Sequence, residues 1–224
     1  EAIAIDSETN GLTARNHDMF CLQIGTGQNN YIIDFYTSED HYTFEEVVPF
    51  IQDKILVGQN LIFDLQFFYK HNFYPKRVRD TMIASKIVYN GHVERFIKSN
   101  GEETFIPLRS DLGSLMKREL GVILNKYEQK NIHIVRLSME STIDYSFLDV
   151  DQLLELHNVL ENKIISGGFK ETYDLHCRFI RALSYMESCG LPINPQKWRD
   201  KMDVDKEQAK LGKVEVEEAI FDNL

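Results

Sequence analysis

The sequence predicts an α/β fold in which a mixed sheet is flanked by helices and followed by a helical extension. Up to Gly58, short apolar segments bounded by Gly, Asn or Asp are typical of β-strands. From Leu61 onward, apolar residues recur at three- and four-residue spacing, which indicates helices. Gly167 and Gly168 interrupt that spacing, and the helical pattern beyond them becomes increasingly charged.

Four segments in the first part of the chain are predicted to be strands: 2–5, 20–26, 31–36 and 55–58. The first three follow one another with short links, so we expect an antiparallel meander. Residues 43–54 precede the fourth strand and carry apolar residues at helical spacing. They predict a crossover helix that places the fourth strand parallel to the first.

Five further segments are predicted to be helices: 61–71, 81–89, 112–120, 141–165 and 172–188. The last of these stops at Cys189-Gly190, which is a typical helix C-terminal signal. Residues 91–110 are polar, carry both signs of charge and contain Asn100-Gly101. They predict an exposed loop or a hairpin.

Two domains are expected, a first over residues 1–166 and a helical extension over residues 167–224. The end of the extension, residues 199–224, is a charged helical pattern with little apolar surface to anchor it. We therefore expect it to pack on a further part of a longer protein. The sequence starts at Glu1 in mid-strand without a Met, which also suggests a fragment.

The composition limits the classes of partner. A net charge of −10 and a pI near 5.2 argue against a protein that grips a nucleic-acid duplex electrostatically. They leave open an enzyme that holds a short strand through metal ions. The sequence contains no apolar run long enough to cross a membrane, so no membrane partner is expected. A monomer is expected.

The cysteines and histidines indicate neither a disulfide framework nor a zinc site. Cys21, Cys177 and Cys189 are far apart, and we expect reduced, mostly buried thiols in a cytoplasmic protein. His157 lies eight residues after Asp149 on a predicted helix. Because a lone helical histidine is usually exposed or hydrogen-bonded, we expect no functional role for it.

The stretch "AIAIDSETNGL", residues 2–12, contains the first candidate site. Side chains alternate along a strand, so Asp6 and Glu8 point to the same side. Two adjacent carboxylates repel each other, and a divalent cation such as Mg²⁺ or Mn²⁺ would relieve that repulsion. The alternative is an exposed strand end with two solvated acids.

The stretch "VGQNLIFDLQFF", residues 57–68, contains the second candidate. Asp64 falls in the first turn of a helix that follows a strand, and Asn60 is a plausible N-cap. A strand parallel to the first would bring this helix start to the same edge of the sheet. The alternative is an acid stabilised by the helix dipole alone.

The third candidate lies in "IDYSFLDVDQLLEL", residues 143–156. Tyr145 and Asp149 are four residues apart, so they share one face of a helix. A half-buried aromatic residue is the alternative interpretation of Tyr145.

The three motifs "DSETNGL", "VGQNLIFD" and "YSFLD" together resemble those of DEDD-type 3′–5′ exonucleases, in the subgroup with Tyr in the third motif. "VGQN" and "DTMIASKIVYNG" are similar to the proofreading domain of family A, polymerase I-type DNA polymerases. "LHCRFIRALSYMESCGLPIN" resembles the segment that leads into the polymerase body. The resemblance implies an RNase H-like, five-stranded mixed sheet over residues 1–166, the exonuclease domain, and the start of a polymerase body over residues 167–224.

The resemblance also implies a chemistry, which uses two divalent ions, Mg²⁺ or Mn²⁺. Asp6 would bridge both ions, and Glu8 and Asp149 would complete the site that activates water. Asp64 would hold the second ion. The hydroxyl of Tyr145 would orient the attacking water, because a phenol with a pKa near 10 is a poor base at neutral pH.

The implied substrate is a single-stranded DNA 3′ end, and the implied partner is the polymerase body of the same parent chain. Thr9 and Leu12 would meet the terminal base and sugar, and Asn60 and Phe63 would line the same groove. Residues 91–110 and the lack of a Trp between the second and third motifs depart from the family pattern.

Three alternatives stay open. An RNase D-like exoribonuclease shares the catalytic set, and "LGVILNKYEQKN" resembles that group as well. A non-catalytic module that binds a frayed 3′ end is a second possibility, although such domains usually lose a metal ligand. A structural domain with chance acids would have to explain three motifs in the right order.

Overall fold

The computed structural model describes residues 1–35, 41–124 and 150–221. Within them lies a five-stranded sheet in the order β3-β2-β1-β4-β5. Its strands are β1 (Ala2–Thr9), β2 (Met19–Gly25), β3 (Asn30–Asp34), β4 (Ile55–Gly58) and β5 (Arg77–Asp80). The first three pair antiparallel, whereas β1, β4 and β5 run parallel. This arrangement confirms the predicted mixed sheet and the parallel return of the fourth strand.

Two strands differ from the residue-based prediction. β1 continues to Thr9 instead of ending at residue 5, because Asp6 and Glu8 still pair with Gln23 and Cys21 of β2. β5, at the edge of the sheet, is missing from that prediction. Its sequence, Arg-Val-Arg-Asp, contains a single apolar residue, so it lacks the pattern that marks a strand.

Helices flank the sheet: α1 (Phe44–Ile51), α2 (Ile62–Lys70), α3 (Thr81–Val88), α4 (Leu112–Leu120), α5 (Leu153–Ser166) and α6 (Lys170–Cys189). α1 is the predicted crossover helix. It begins after Thr43, whose backbone N–H donates to Glu46 Oε2 at 2.8 Å, as in a capping box. The first part of the predicted helix 141–165, up to residue 149, lies outside the described residues.

A two-stranded hairpin forms a separate small sheet. Its strands are β6 (Val93–Ile97) and β7 (Glu103–Pro107), which pair antiparallel. The hairpin alternative for residues 91–110 is therefore correct.

The packing extends one compact unit from Glu1 to Ser188. α6 belongs to it because Tyr173, Cys177 and Ile180 are buried. The Tyr173 hydroxyl also donates to the Asp80 carbonyl oxygen at 3.2 Å. Gly190, with φ of 68°, follows α6 and ends it as predicted.

Residues 189–224 form a second unit, which contains α7 (Pro195–Phe221). None of the residues in this helix is buried. The packing thus divides the chain at residue 189, and the domain boundary at residue 166 stays a prediction. Within the described part of the chain, no helix has both the length and the apolar character that a membrane span requires.

Glu119 ties α4 to α5. Its side chain is fully shielded from solvent and accepts hydrogen bonds from Lys163 at 2.6 Å, Tyr89 Oη at 2.7 Å and Arg118 at 3.1 Å. Burial disfavours the charged carboxylate, but these donors outweigh burial and lower the pKa of Glu119.

Replacement of Glu119 should therefore destabilise the protein in a pH-dependent way. We expect Glu119→Gln to lower the free energy of unfolding by about 2 kcal/mol at neutral pH. A carboxyl whose pKa is lowered by folding stabilises above its unfolded pKa, so the difference should shrink as the pH falls below about 4. Urea unfolding at both pH values measures it, and equal stability at neutral pH would contradict the prediction.

Candidate active site

The first two carboxylates lie near the carboxyl end of β1, the central strand of the sheet. Asp6 and Glu8 are half-buried, whereas Ser7 and Thr9 between and after them are buried. This alternation places Asp6 and Glu8 on the same face of the strand, as the sequence predicts. The register between β1 and β2 shifts between Glu8 and Thr9. Such β-bulges are common next to active sites.

The charges of the two carboxylates act on a neighbouring thiol. Cys21 of β2 lies opposite Glu8, and the pKa of its thiol is raised to about 12. Burial is the largest cause, and the charges of Glu8, Asp34 and Asp6 add to it. The Cys21 thiol is therefore protonated and unreactive at neutral pH.

Asp64 reaches the same strand from α2. It is the third residue of that helix, is 3% exposed, and its Oδ1 accepts a hydrogen bond from the Ser7 hydroxyl. Ser7 is the residue between Asp6 and Glu8. Burial raises the pKa of the Asp64 carboxyl, and the charge of Asp80 contributes in the same direction.

Asn60 is not the N-cap of α2, so that part of the prediction is wrong. Its φ of 62° is left-handed, whereas an N-cap needs an extended backbone. The residue at the N-cap position is Leu61, whose apolar side chain cannot accept a hydrogen bond from the helix. Instead, the backbone N–H of Leu61 donates to Asp80 Oδ2 at 2.7 Å.

Asp80 is the residue that the sequence analysis missed. It is 2% exposed, and its Oδ1 also accepts from the backbone N–H of Ile83 at 3.0 Å, so it caps α3 as well. Burial raises the pKa of Asp80, and the backbone donors oppose that rise. An Asp directly before a helical pattern is an N-cap signal. No local sequence pattern indicates the hydrogen bond from Leu61 to Asp80, because the two residues are 19 positions apart.

The four predicted substrate residues differ in accessibility. Leu12 is 76% exposed, Asn60 is exposed, and Phe63 is half-buried. Thr9 is buried, and its hydroxyl donates to the Gly11 carbonyl oxygen at 2.8 Å. Their contacts with a substrate stay predictions, and Thr9 has its hydroxyl engaged within the loop after β1.

The third motif, residues 145–149, lies outside the residues that the structure describes. The place of Tyr145 and Asp149 at the site therefore stays a prediction. Over residues 1–35, 41–124 and 150–221, no group of three or more His, Cys, Asp or Glu side chains could hold a metal ion. Asp6 and Glu8 are hard oxygen donors on one face, a set that fits Mg²⁺ or Mn²⁺.

His157 is neither exposed nor fully hydrogen-bonded, contrary to expectation. It is 5% exposed, its Nε2 lies 3.4 Å from Glu161, and its Nδ1 has no hydrogen-bond partner among the described residues. Burial lowers its pKa, so it is neutral at physiological pH.

Comparison with known proteins agrees with this architecture. Residues 1–165 match the family model described as 3′-5′ exonuclease. DNA polymerase I of Aquifex aeolicus (strain VF5) is 25% identical over 216 residues, which cover 88% of this chain and 33% of that protein. The chain thus spans about a third of the length of this relative.

Two solved structures share the fold. Brucella melitensis NrnC with bound Mg²⁺ has a TM-score of 0.65 and 21% identity, covering 84% of this chain and 86% of that chain. Escherichia coli RNase D, an exoribonuclease involved in structured RNA processing, has a TM-score of 0.66 and 19% identity, covering 90% and 48%. With the family match over most of its length, the chain belongs to the 3′–5′ exonuclease family, as a DEDD-type domain of the polymerase I kind.

Proposed function

We propose that this domain removes nucleotides from the 3′ end of single-stranded DNA and releases nucleoside monophosphates, as the proofreading part of a family A DNA polymerase. Family membership and the identity with a DNA polymerase I support this assignment. The observation that carries it is the hydrogen bond from Ser7 to Asp64, which brings the second-motif acid to the strand segment between Asp6 and Glu8.

The proposed chemistry uses two divalent ions, Mg²⁺ or Mn²⁺, with Asp6, Glu8, Asp64 and Asp149 as ligands. When bound, such ions activate a water molecule and stabilise the leaving 3′-oxygen. The chain supplies the orientation. Ser7 holds the Asp64 carboxylate by its hydroxyl, which keeps that side chain in one rotamer.

The substrate would be positioned by groups around these acids. We assign Thr9 and the exposed side chain of Leu12 to contacts with the terminal base and sugar, and Asn60 and Phe63 to the lining of the same groove. The Tyr145 hydroxyl would orient the attacking water.

A hydrolysis assay tests the activity. Single-stranded DNA labelled at its 5′ end, incubated with the protein and Mg²⁺ or Mn²⁺, should give a ladder that shortens from the 3′ end. Asp6→Ala should abolish it. Intact DNA at high protein concentration, or products unaffected by Asp6→Ala, would reject the proposal.

A binding measurement tests the metal separately from activity. Millimolar Mn²⁺ should raise the melting temperature of the wild type, since a ligand at a hundred times its Kd stabilises the fold by about 2.7 kcal/mol. The shift should disappear in Glu8→Ala. A wild-type melting temperature that ignores Mn²⁺ would contradict the proposed metal site.

An RNase D-like exoribonuclease is the second candidate. The resemblance in fold to NrnC covers most of both chains, so a nuclease without a polymerase body also fits. Initial rates on DNA and RNA strands of the same sequence distinguish the two. Faster hydrolysis of RNA would favour the second candidate.

The polymerase body of the same parent chain is the proposed partner of residues 167–224. The absence of buried residues in α7 supports a partner surface for that helix. The parent open reading frame tests this, because palm motifs of a polymerase should follow Leu224.

A further inference from the structure

A positively charged cleft lies along the edge of the sheet. It has a volume of about 510 Å³ and is formed by β5, the residue before it and α6. We call it the β5–α6 cleft. Its cationic residues are Lys76, Arg77, Arg79, Arg178 and Arg181. The cleft contains two acidic residues, Glu171 and Asp174, so five positive charges face two negative ones in a protein with a net charge of −10.

Lys76 pairs with Asp53 at 3.4 Å, but three of the five cationic residues in the cleft, all of them arginines, have no ion pair among the described residues. Of the four arginines, only Arg79 pairs with a carboxylate of the described residues, Asp174, at 3.0 Å. Arg181 donates to the Lys76 carbonyl oxygen at 2.9 Å, a neutral acceptor that leaves the guanidinium charge in place.

Arg178 is the most available of these groups. It is exposed on α6 and has neither a hydrogen bond nor an ion pair among the described residues. Arg181 is three residues further on, so both side chains lie on the same face of the helix. Across the cleft, Arg77 and Arg79 are two residues apart on β5 and point to one side of the strand. Two arginine pairs therefore line opposite walls of one groove.

The β5–α6 cleft is separate from the candidate active site. β4 lies between β5 and β1. Arg77 pairs with Ile55 and hence lies level with Ala2, at the opposite end of the parallel strands from Asp6 and Glu8. Strand rise and strand spacing put roughly 15 Å between the two regions.

We propose that the β5–α6 cleft binds the phosphate backbone of the nucleic-acid substrate, away from the 3′ end that is hydrolysed. This proposal rests on the proposed nuclease function. Arginine forks match phosphate oxygens in geometry and charge. An acidic nuclease otherwise has little attraction for a polyanion, so a local cationic groove would hold the strand while its end enters the active site.

The test separates binding in the cleft from hydrolysis. Affinity for a 5′-fluorescent single strand of about 20 nucleotides is measured by anisotropy in EDTA, at about 50 mM and about 200 mM salt. Arg178→Glu should weaken binding about tenfold at the lower salt concentration. Arg178→Ala should reduce the slope of log affinity against log salt by about 0.7, the value for one phosphate contact.

The matched control is Lys86→Glu. Lys86 is exposed on α3, lies outside the cleft and has no ion pair among the described residues. Lys86→Glu changes the net charge by the same amount as Arg178→Glu, and we expect its affinity for the single strand to stay within twofold of that of the wild type. A dinucleotide bound at the active site is too short to reach the cleft. Its hydrolysis in the presence of Mn²⁺ should therefore be unchanged in Arg178→Glu.

Unchanged affinity in Arg178→Glu, or equal losses of affinity in Arg178→Glu and Lys86→Glu, would overturn the proposal. A third contrary outcome is that poly-glutamate displaces the labelled DNA as effectively as unlabelled DNA does. The last would assign the cleft to acidic polypeptides. Failure of the nuclease function is a different result, in which the wild type binds the long strand with the expected salt slope but leaves the dinucleotide intact.

Discussion

Asp64→Asn is expected to lower the rate of 3′-end hydrolysis by about three orders of magnitude or more. The substitution keeps the size of the side chain and an oxygen that can accept the hydrogen bond from Ser7. It removes the negative charge. When a metal site loses a carboxylate ligand, it loses several kcal/mol of transition-state stabilisation, which corresponds to a rate reduction of about three orders of magnitude. Single-turnover rates on labelled DNA with saturating Mn²⁺ measure the effect.

Stability measurements distinguish this loss from misfolding. Burial disfavours the charged form of Asp64, and the charge of Asp80 acts in the same direction, so Asp64→Asn should unfold at the same urea concentration as the metal-free wild type or at a higher one. The melting-temperature shift caused by Mn²⁺ should become smaller. Asp203→Asn, the same change at an exposed position on α7, should leave the rate unchanged. A folded Asp64→Asn with a rate near that of the wild type would rule out a role for Asp64.

Asp80→Ala should cause the largest loss of stability, about 3–5 kcal/mol in the free energy of unfolding. The carboxylate satisfies the backbone N–H groups of Leu61 and Ile83 in a buried region. Each of the two donors left without a partner costs about 1–3 kcal/mol, and the bond from Ile83 is also the N-cap of α3. Urea unfolding with linear extrapolation gives the values.

Asp111→Ala is the matched control for that measurement. Asp111 is also an N-cap, at the start of α4, and accepts from the backbone N–H of Ser114 at 3.0 Å, but it is exposed. Its loss should cost about 1 kcal/mol. Equal effects of the two substitutions would mean that the bond from Leu61 to Asp80 contributes nothing.

The Asp80 variant should also bind metal less well where it is still folded. Leu61 is the residue from which α2 begins, and Asp64 follows within one turn. Without the bond at Leu61, the start of α2 is free to shift relative to Ser7 on β1. The Mn²⁺ concentration needed for half the melting-temperature shift should rise in Asp80→Ala and stay constant in Asp111→Ala.

The elements that the sequence predicts well are those whose signal is local. The crossover helix α1 has four apolar residues at helical spacing and a capping box at Thr43, so its pattern repeats over a few turns. For residues 91–110, Asn100-Gly101 and the flanking polar segments indicate an exposed loop or a hairpin, and the structure shows the hairpin. β5 has four residues with a single apolar one, and so short a segment carries no periodicity.

The sequence by itself determined where three acids of the candidate site lie within their own strand or helix. Alternation along β1 puts Asp6 and Glu8 on one face, helical geometry puts Asp64 in a first turn, and the order of the motifs identifies the family. Each of these depends on neighbours within a few residues.

Only the tertiary structure decided how the parts are held together. The Asp80 carboxylate reaches Leu61, 19 residues earlier, and Ser7 reaches Asp64 over a separation of 57 residues. The cationic cleft likewise combines an edge strand with a helix about a hundred residues away. Such contacts arise because burial brings distant polar groups together and each must then find a partner there, a condition that no local pattern encodes.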